Sequence, residues 1–365
     1  MLGLIIKSTR KCNLRCSYCH DWRSRSDKMS FRTLATLISK AFESRHKNIS
    51  FMWHGGEPLL MPVEYYQKAL LLQEKSKKEG QSYSNSIQTN GTLINQDWCD
   101  FFKKYQFTIG ISLDGVEESH NLNRKYSNNK GSYTDVVNSI RLLQKNDIPF
   151  GVLIVLNEHI LKSGALKIFN FLVDELGVKA FSFIPVKPAN NKNSGEVYSE
   201  EYCKSNDSTE FMKKIFDLWL ERDDSSIQIR EIDSLLKVIL GGTATACTLA
   251  GHCLGSYFHI EPDGTVFHCD KYLGDSDYQL GNITTNSFYE IQQSSKLKSL
   301  ISEEETNLKL LDECPKIAIC NGGCPHDRYI AKKIVNKSQK CCGQLSLIAH
   351  MEEKVISEIT SAMPQ

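Results

Sequence analysis

Residues 2–22 read LGLIIKSTRKCNLRCSYCHDW, a short apolar run followed closely by three cysteines. Three residues separate Cys12 from Cys16, and two separate Cys16 from Cys19. Three thiolates from one loop can bind three corners of a four-iron, four-sulfur cluster and leave the fourth iron without a protein ligand. The alternatives are three unrelated free thiols or a zinc loop, for which His20 is a candidate fourth ligand. We interpret the spacing as that of an iron-sulfur cluster.

The composition is that of a soluble globular protein: 365 residues, of which 41% are hydrophobic and 24% charged. This length allows one large domain plus a smaller one, or two of medium size. The formal net charge of +1 gives no reason to expect nucleic acid or an anionic membrane as partner. The apolar run near the N-terminus is too short for a signal peptide or a membrane span. We therefore expect a cytoplasmic protein.

Short apolar runs alternate along the chain with longer segments of helical period, which is typical of repeated βα units and a parallel sheet. The predicted strands are Leu2 to Lys7, Ile49 to Trp53, Ser84 to Thr89, Phe107 to Ser112, Gly151 to Leu156 and Ala180 to Pro185. The predicted helices are 31–46, 63–78, 95–105, 133–146 and 160–176, followed by a polar loop at 187–208 and two helices through 211–221 and 231–240.

Polar, glycine or cysteine residues follow nearly every predicted strand. HisGlyGlyGluPro follows Trp53, and LeuAspGly follows Ser112. Parallel α/β sheets bind ligands at the carboxyl ends of their strands, so we expect these loops to form one active-site rim. Gly55 and Gly56 would let the backbone approach a ligand, and the Glu57 carboxylate could accept a hydrogen bond from an ammonium group.

The cysteine motif, with an aromatic residue before the third cysteine, resembles that of the radical S-adenosylmethionine superfamily. The resemblance implies that the open iron binds the amino and carboxylate groups of S-adenosylmethionine. It also implies reductive cleavage of that cofactor to a 5′-deoxyadenosyl radical, which abstracts a hydrogen atom from the substrate. The cofactor-binding residues that it implies are Tyr18, Gly55, Gly56, Glu57, Ser112 and Arg124, with Gly55 to Glu57 at the methionyl amine and Ser112 and Arg124 at the ribose or carboxylate.

Eight of the thirteen cysteines lie between Cys247 and Cys342. In a reducing compartment such a set is more often metal-binding than disulfide-bonded. The same region contains YFHIEPDGTVFHC, which predicts a β-hairpin with its turn at Pro262, Asp263 and Gly264. The sequence therefore indicates a second cysteine-rich site.

This region resembles the SPASM domain, the C-terminal extension of radical enzymes that modify peptides and proteins. The resemblance implies two auxiliary clusters, hence three 4Fe-4S clusters in the whole protein. It assigns Cys247, Cys253, Cys269 and Cys324 to the first auxiliary cluster, and Cys314, Cys320 and Cys342, or Cys341, to the second. The family has a cysteine where this chain has Leu311. The second cluster would therefore keep an open iron, use both terminal cysteines, or borrow a side chain such as Asp312.

Nearly the whole chain resembles the anaerobic sulfatase-maturating enzymes and related peptide maturases, through segments such as SIQTNGTLI, IGISLDG, HNLNRKY and CDKY. The resemblance implies an α/β fold: a partial (β/α)6 TIM-like barrel at 1–205, a helical connection at 206–245, and a SPASM domain with a C-terminal helix at 246–365. It makes Asp270, directly after Cys269, the base that assists oxidation of the substrate residue. A capping role for this carboxylate is the alternative.

The implied reaction is hydrogen abstraction from a peptide or protein side chain followed by oxidation, giving formylglycine on a sulfatase-type substrate. The implied partners are that substrate and an electron donor such as flavodoxin or ferredoxin. One alternative is a maturase that forms a carbon-carbon or thioether crosslink in a ribosomally made peptide. Another is a non-catalytic iron-sulfur electron carrier, which the intact Gly55, Gly56, Glu57 motif disfavours because a carrier needs no site for a cofactor amine.

Overall fold

The computed structural model describes residues 1–19, 27–186, 205–251, 253–333 and 343–362. Within them the chain divides into two compact units. The first contains residues 1–153 and 254–301, and the second contains the described parts of 154–253 and 302–365. The predicted cluster ligand Cys342 and its neighbour Cys341 lie outside the described residues, as does most of the loop predicted at 187–208. The domain boundaries proposed from the sequence stay a prediction.

The strands are β1 Leu2–Lys7, β2 Asn48–His54, β3 Ser82–Thr89, β4 Thr108–Ser112, β5 Phe150–Leu156, β6 Ala180–Pro185, β7 Gln228–Ile229, β8 Tyr257–Ile260, β9 Thr265–Phe267 and β10 Gln279–Asn282. The helices are α1 Phe31–Glu43, α2 Val63–Ser76, α3 Gln96–Tyr105, α4 Glu117–Asn123, α5 Tyr133–Lys145, α6 Glu158–Ser163, α7 Ala165–Asn170, α8 Ser205–Arg222, α9 Arg230–Ile239, α10 Phe288–Gln293, α11 Ser295–Lys309, α12 Ile317–Cys320, α13 Pro325–Lys333 and α14 Leu345–Ala362.

The sheet of the first unit has the strand order β10-β9-β8-β1-β2-β3-β4-β5. Strands β1 to β5 are parallel neighbours, which confirms the predicted parallel strands with small changes at their ends. Buried apolar residues of α1 pack on this sheet, and the ring centroid of Phe42 lies 5.9 Å from that of Phe51 in β2. The side chain of Ser30 begins α1 by accepting a hydrogen bond from the Thr33 backbone N–H.

The predicted hairpin is confirmed as β8 and β9, which pair antiparallel. Gly264 has φ +88° in its turn and donates its N–H to the carbonyl of Glu261 over 2.9 Å. The sequence did not indicate where this hairpin packs. Strand β8 pairs in parallel with β1, with Leu4 opposite Phe258, so the hairpin extends the sheet of the first unit beside the strand that leads to the three cysteines.

The single helix predicted at 160–176 is wrong. The segment is divided into α6, α7 and a π-helical turn at Phe171–Glu175. The break lies at Gly164, which has φ +82° and ψ 148° and so leaves the helical region, as glycine does without steric cost. The sequence pattern also missed α4, whose ordered side chains position part of the site.

The second unit contains the parallel pair β6 and β7 and the helices α6 to α9 and α12 to α14. Both helices predicted after the polar loop are confirmed as α8 and α9, and the C-terminal helix is confirmed as α14. A hydrogen bond of 2.7 Å between His350 Nε2 and an Asp217 carboxylate oxygen joins α14 to α8. In the parts of the chain that the structure describes, no helix is both long enough and apolar enough to cross a membrane.

Candidate active site and cluster-binding residues

The three thiols of the first motif lie in the loop that follows β1. Burial raises the pKa of Cys12 to about 12 and that of Cys16 to about 11, and the nearby Cys19 adds to both shifts. A buried group of thiols ionises readily only beside positive charge, and bound iron supplies it. Among the described residues, no three Cys, His, Asp or Glu side chains are arranged to hold one metal ion. A cubane cluster differs from a single metal ion because each thiolate binds a separate iron, so the thiols need not converge on one point. Cys12, Cys16 and Cys19 fit such a cluster.

Nitrogen donors point at two of these sulfurs. The backbone N–H of Leu14 donates to Cys12 Sγ over 3.4 Å, and Nδ2 of Asn90 lies 3.9 Å from the same sulfur. Nη1 of Arg124 lies 3.8 Å from Cys16 Sγ. Hydrogen bonds to cluster sulfurs are one of the means by which proteins set cluster potentials, so these donors suit cluster ligands.

Hydrogen bonds with residues after β3 and at the end of α4 hold the cysteine loop in place. Asn90 donates to Asn13 Oδ1, and Asn13 donates to Thr92 Oγ1, each over 2.8 Å. On the other side, the N–H of Ser17 donates over 3.0 Å to the carbonyl of Asn123, the last residue of α4. Sequence reasoning missed these supports, although AsnGlyThr directly after β3 marked the first of them.

The GlyGlyGlu turn after β2 packs directly against the cysteine loop. Gly55 and Gly56 have φ +79° and +56°. A Cβ atom on Gly56 would lie 2.4 Å from the carbonyl oxygen of Lys11, which is closer than real Cβ atoms approach. The N–H of Glu57 donates to that carbonyl over 2.7 Å. Only glycine fits at position 56. Because the turn is hydrogen-bonded to the cysteine loop, the two sequence motifs lie at one site.

Glu57 is fully buried and already bonded within the chain. Its Oε1 accepts from the N–H of Leu59 over 2.9 Å and from the Thr89 hydroxyl over 2.6 Å, and its Oε2 accepts from the N–H of Asn90 over 2.8 Å. Burial raises its pKa to about 7. A carboxylate offers about four acceptor positions, so these three bonds leave one for a ligand. Glu57 thus joins β2 to β3, and its contact with the cofactor stays a prediction.

Tyr18, Asp114 and Arg124 form a group beside Cys16, in which Asp114 and Arg124 are buried. Arg124 donates from Nε to Asp114 Oδ2 over 3.1 Å, and the Tyr18 hydroxyl donates to the same oxygen. The Arg124 guanidinium also lies over the Tyr18 ring, 5.7 Å from its centroid. Burial opposes the charge of Arg124, but the neighbouring Tyr18, Asp114 and cysteines raise its pKa well above its usual value. The guanidinium therefore stays charged beside the thiols.

Ser112 ends β4, two residues before Asp114. Its hydroxyl accepts a hydrogen bond from Gln88 Nε2 over 3.1 Å. Gly110 makes room for Gln88, because a Cβ atom there would lie 2.1 Å from Gln88 Oε1. The predicted cofactor-binding residues thus all lie on strand ends and loops of the first unit, and their contacts with a cofactor stay predictions.

Asp270 lies in the first unit, directly after Cys269. The Cys269 thiol donates to Asp270 Oδ1 over 3.0 Å. Burial opposes ionisation of Asp270. The charges of the nearby His54, His259 and Lys271, and the hydrogen bond from Cys269, nevertheless hold its pKa below the usual range. The carboxylate is therefore ionised and able to accept a proton, although it is a weaker base than an ordinary aspartate. Its role as a base stays a prediction.

Three of the predicted auxiliary ligands belong to the second unit and interact with one another. Burial raises the pKa of Cys253 to about 12, and the charges of Cys324 and Cys247 add to the shift. Asn321 connects their two loops by donating from Nδ2 to the carbonyl of Leu249 over 2.8 Å. This contact brings the loop of Cys247 and Cys253 beside the loop that leads to Cys324.

The position at which the resemblance predicts another cysteine is occupied by a buried leucine. Leu311 is 2% exposed and packs against Gly322, where a Cβ atom would lie 3.1 Å from Leu311 Cδ1. Asp312, one of the candidate replacements, is exposed to solvent, whereas Cys320 is buried. At the predicted second auxiliary site, an apolar side chain therefore occupies the position where the resemblance predicts a thiolate.

Comparisons with known proteins agree with this arrangement. The family model of the radical SAM superfamily matches residues 6–171, and that of the SPASM iron-sulfur cluster-binding domain matches residues 247–325. The cysteine-type anaerobic sulfatase-maturating enzyme of Clostridium novyi (strain NT) is 32% identical over 90% of this chain and 88% of that protein. The serine-type enzyme of Bacteroides thetaiotaomicron is 30% identical over 87% of this chain and 81% of that protein.

Solved structures give the same result. The structure of native anSMEcpe with bound AdoMet superposes with a TM-score of 0.86 at 28% identity and covers 100% of both chains. Its complex with AdoMet and the Cp18Cys peptide gives a TM-score of 0.84 and covers 97% of this chain and 99% of that chain. SuiB of Streptococcus suis, with a TM-score of 0.67 at 15% identity, shares the fold. The predicted α/β fold, a radical SAM barrel followed by a SPASM domain, is confirmed. The chain belongs to the anaerobic sulfatase-maturating enzymes and is a radical S-adenosylmethionine enzyme.

Proposed function

We propose that this enzyme oxidises a cysteine or serine side chain of a sulfatase-type substrate to formylglycine. One observation carries the proposal: the loop that contains Cys12, Cys16 and Cys19 packs against the GlyGlyGlu turn, where the Glu57 N–H donates to the carbonyl of Lys11. The relatives of the chain support it, because cysteine-type and serine-type sulfatase-maturating enzymes match to similar extents, at 32% and 30% identity. The residue that is oxidised is therefore one of these two.

The three thiols would hold a 4Fe-4S cluster that, with bound S-adenosylmethionine, supplies a carbon radical able to remove a hydrogen atom from the substrate Cβ. Backbone groups of Gly55 and Gly56 would bind the methionyl amine of the cofactor, as close approach without side chains allows. Ser112 and Arg124 would contact its ribose or carboxylate. Tyr18 and Asp114 would keep the Arg124 guanidinium in place.

The substrate radical must then lose one electron and one proton. The ionised Asp270 would take the proton, and an auxiliary cluster would accept the electron. A serine side chain gives the aldehyde directly. A cysteine side chain gives a thioaldehyde, which water converts to the aldehyde with release of hydrogen sulfide.

We assign three 4Fe-4S clusters to the loaded enzyme. The first auxiliary cluster would use Cys247, Cys253, Cys269 and Cys324, and the second would use Cys314, Cys320 and Cys342. A flavodoxin or ferredoxin would supply the electron for cofactor cleavage. The thirteen cysteines favour a location in the reducing cytoplasm, where thiols remain available to bind iron.

A second function is favoured by the second auxiliary site. Leu311 is buried at a position where the family has a cysteine, so this cluster differs from that of the sulfatase-maturating enzymes. A changed cluster suits a divergent relative that forms a carbon-carbon or thioether crosslink in a peptide. Both functions begin with the same hydrogen abstraction and differ in the product.

The experiment is anaerobic reconstitution with iron and sulfide, followed by reduction with S-adenosylmethionine and matched peptides that carry Cys, Ser or Ala at the sulfatase position. Formylglycine, detected by hydrazide trapping and mass spectrometry in the Cys or Ser peptide only, would support the main proposal. Loss of two hydrogens without an aldehyde would favour the crosslinking enzyme. Cofactor cleavage without any change in the peptides would exclude sulfatase-type substrates.

A further inference from the structure

A buried acidic residue outside the sequence motifs lies where the sheet meets the cysteine loop. Glu261 directly follows β8, the strand that pairs in parallel with β1. The carboxyl ends of parallel neighbours lie at the same edge of a sheet, so Glu261 lies at the edge from which the cysteine loop leaves. Its side chain is 2% exposed. A carboxylate buried this deeply requires partners.

Three side chains lie within hydrogen-bond or ion-pair distance of this carboxylate. Lys7 Nζ lies 3.4 Å from Glu261 Oε1, and His259 Nε2 lies 2.7 Å from the same oxygen. Arg10 pairs with the other oxygen. Lys7 and His259 are themselves 1% and 0% exposed, whereas Arg10 is partly exposed. Burial opposes the ionisation of Glu261, but its bond to His259 and the charges of Lys7 and Arg10 lower its pKa to about 2.

Lys7 and Arg10 connect Glu261 to two different parts of the proposed cofactor site. The stem of Lys7 lies directly against the GlyGlyGlu turn, because a Cβ atom on Gly55 would be 2.4 Å from Lys7 Cε. Arg10 is two residues before Cys12 and begins the cysteine loop. A single carboxylate therefore restrains both the turn that would bind the methionyl amine and the loop that would hold the cluster.

We propose that Glu261 is a positioning residue for S-adenosylmethionine binding, which acts by fixing Lys7 under Gly55 and Arg10 at the start of the cysteine loop. The inference rests on the proposed cofactor site. Glu261 acts through these two cations and touches neither the cluster nor the cofactor. Removal of its charge takes this counter-charge away from the buried Lys7, and breaking a buried ion pair by removing one partner is costly. The turn and the loop are then expected to shift relative to one another.

The test compares wild-type enzyme with Glu261→Gln, Glu261→Asp and the double variant Lys7→Met/Glu261→Gln. The readouts are kcat and KM for S-adenosylmethionine in 5′-deoxyadenosine formation, and the change that the cofactor causes in the electron paramagnetic resonance spectrum of the reduced enzyme. We expect Glu261→Gln to raise KM about tenfold or more, with a much smaller change in kcat. Glu261→Asp keeps the charge and should recover part of this loss.

The double variant keeps the inference testable even if Glu261→Gln loads its clusters poorly, because it removes the charge of Lys7 together with that of the carboxylate. We expect it to bind the cofactor more tightly than Glu261→Gln does. The matched control is Asp217→Asn, which breaks another acid-histidine contact of 2.7 Å, to His350 in the second unit. This control should lower thermal stability without changing KM.

An unchanged KM and an unchanged cofactor-induced spectrum in a fully loaded Glu261→Gln enzyme would overturn the inference and leave the proposed function intact. The inference would likewise fail if Asp217→Asn raised KM as much as Glu261→Gln did. A wild-type enzyme that carries its clusters but neither binds nor cleaves the cofactor would overturn the proposed function, and this inference with it.

Discussion

Arg124 and Asp114 form a buried ion pair beside the first cluster loop, with Arg124 Nε 3.1 Å from Asp114 Oδ2. The same guanidinium points Nη1 at Cys16 Sγ. Asp114 thus fixes a permanent positive charge next to a predicted cluster ligand. Because reduction makes a cluster more negative, a fixed cation nearby favours the reduced state.

Substitution Arg124→Gln should therefore lower the reduction potential of the first cluster by tens of millivolts, because the reduced state loses a stabilising charge. Redox titration followed by electron paramagnetic resonance measures this shift. Arg222→Gln is the control, since its ion pair with Asp174 is exposed and lies in the second unit. Equal potentials in a fully loaded Arg124→Gln enzyme and in wild type would contradict this electrostatic role.

Substitution Gly56→Ala should abolish cofactor cleavage and destabilise the protein by about 3 kcal/mol or more, because the added Cβ meets backbone oxygens of Lys11 and Thr9 that cannot move freely. Thermal unfolding and 5′-deoxyadenosine formation measure the two effects. Gly80→Ala is a matched control: Gly80 has φ +75° but nothing within 4 Å of the added carbon. Gly80→Ala should destabilise the protein by only about 1–2 kcal/mol, because an alanine at this position is strained by its left-handed backbone conformation alone. Similar losses in the two variants would show that the close packing at Gly56 is unimportant.

The buried Glu57 should give the stability of the protein a characteristic pH dependence. Its folded-state pKa of about 7 is higher than the usual 4.5, so the folded state holds the proton more tightly than the unfolded chain does. Stability should therefore fall as pH rises from about 4.5 to 7, by up to about 3 kcal/mol. The measurement is the free energy of unfolding of wild type relative to Glu57→Gln across this range. A constant difference, or one that grows with pH, would contradict the shifted pKa.

The apolar residue at the second auxiliary site gives another prediction. Leu311→Cys should slow the loss of iron from the second auxiliary cluster to a chelator and alter the Mössbauer spectrum of the auxiliary clusters, because it supplies a thiol where the family has one. Leu308→Cys is the control, since Leu308 also packs against Gly322. If both variants lose iron to the chelator at the wild-type rate, Leu311 does not occupy a ligand position.

The sequence predicted those features that short-range patterns encode. Apolar runs gave the strands β1 to β6, and the spacing of Cys12, Cys16 and Cys19 gave the cluster loop. The GlyGlyGlu motif after β2 was correctly predicted to lie beside that loop, because parallel strands end at one edge.

Features that depend on long-range packing could not be predicted. The pairing of β8 with β1 joins segments far apart in the chain, and no local pattern encodes it. The same is true of two buried carboxylates. Glu57 accepts a hydrogen bond from Thr89 at the end of β3, and Glu261 pairs with Lys7 at the end of β1. The break at Gly164 had a local signal, since glycine can leave the helical region, but the apolar period on both sides of it favoured one helix.

We propose that Cys12, Cys16 and Cys19 hold the cluster that cleaves S-adenosylmethionine. The most direct test is 5′-deoxyadenosine formation by reduced, anaerobically reconstituted wild type, Cys16→Ala and Cys99→Ala, the last of which removes a buried thiol of α3 outside the site. We predict cleavage by wild type and Cys99→Ala, and none by Cys16→Ala, which should keep most of the auxiliary-cluster absorbance. Cleavage by Cys16→Ala at the wild-type rate would contradict the account.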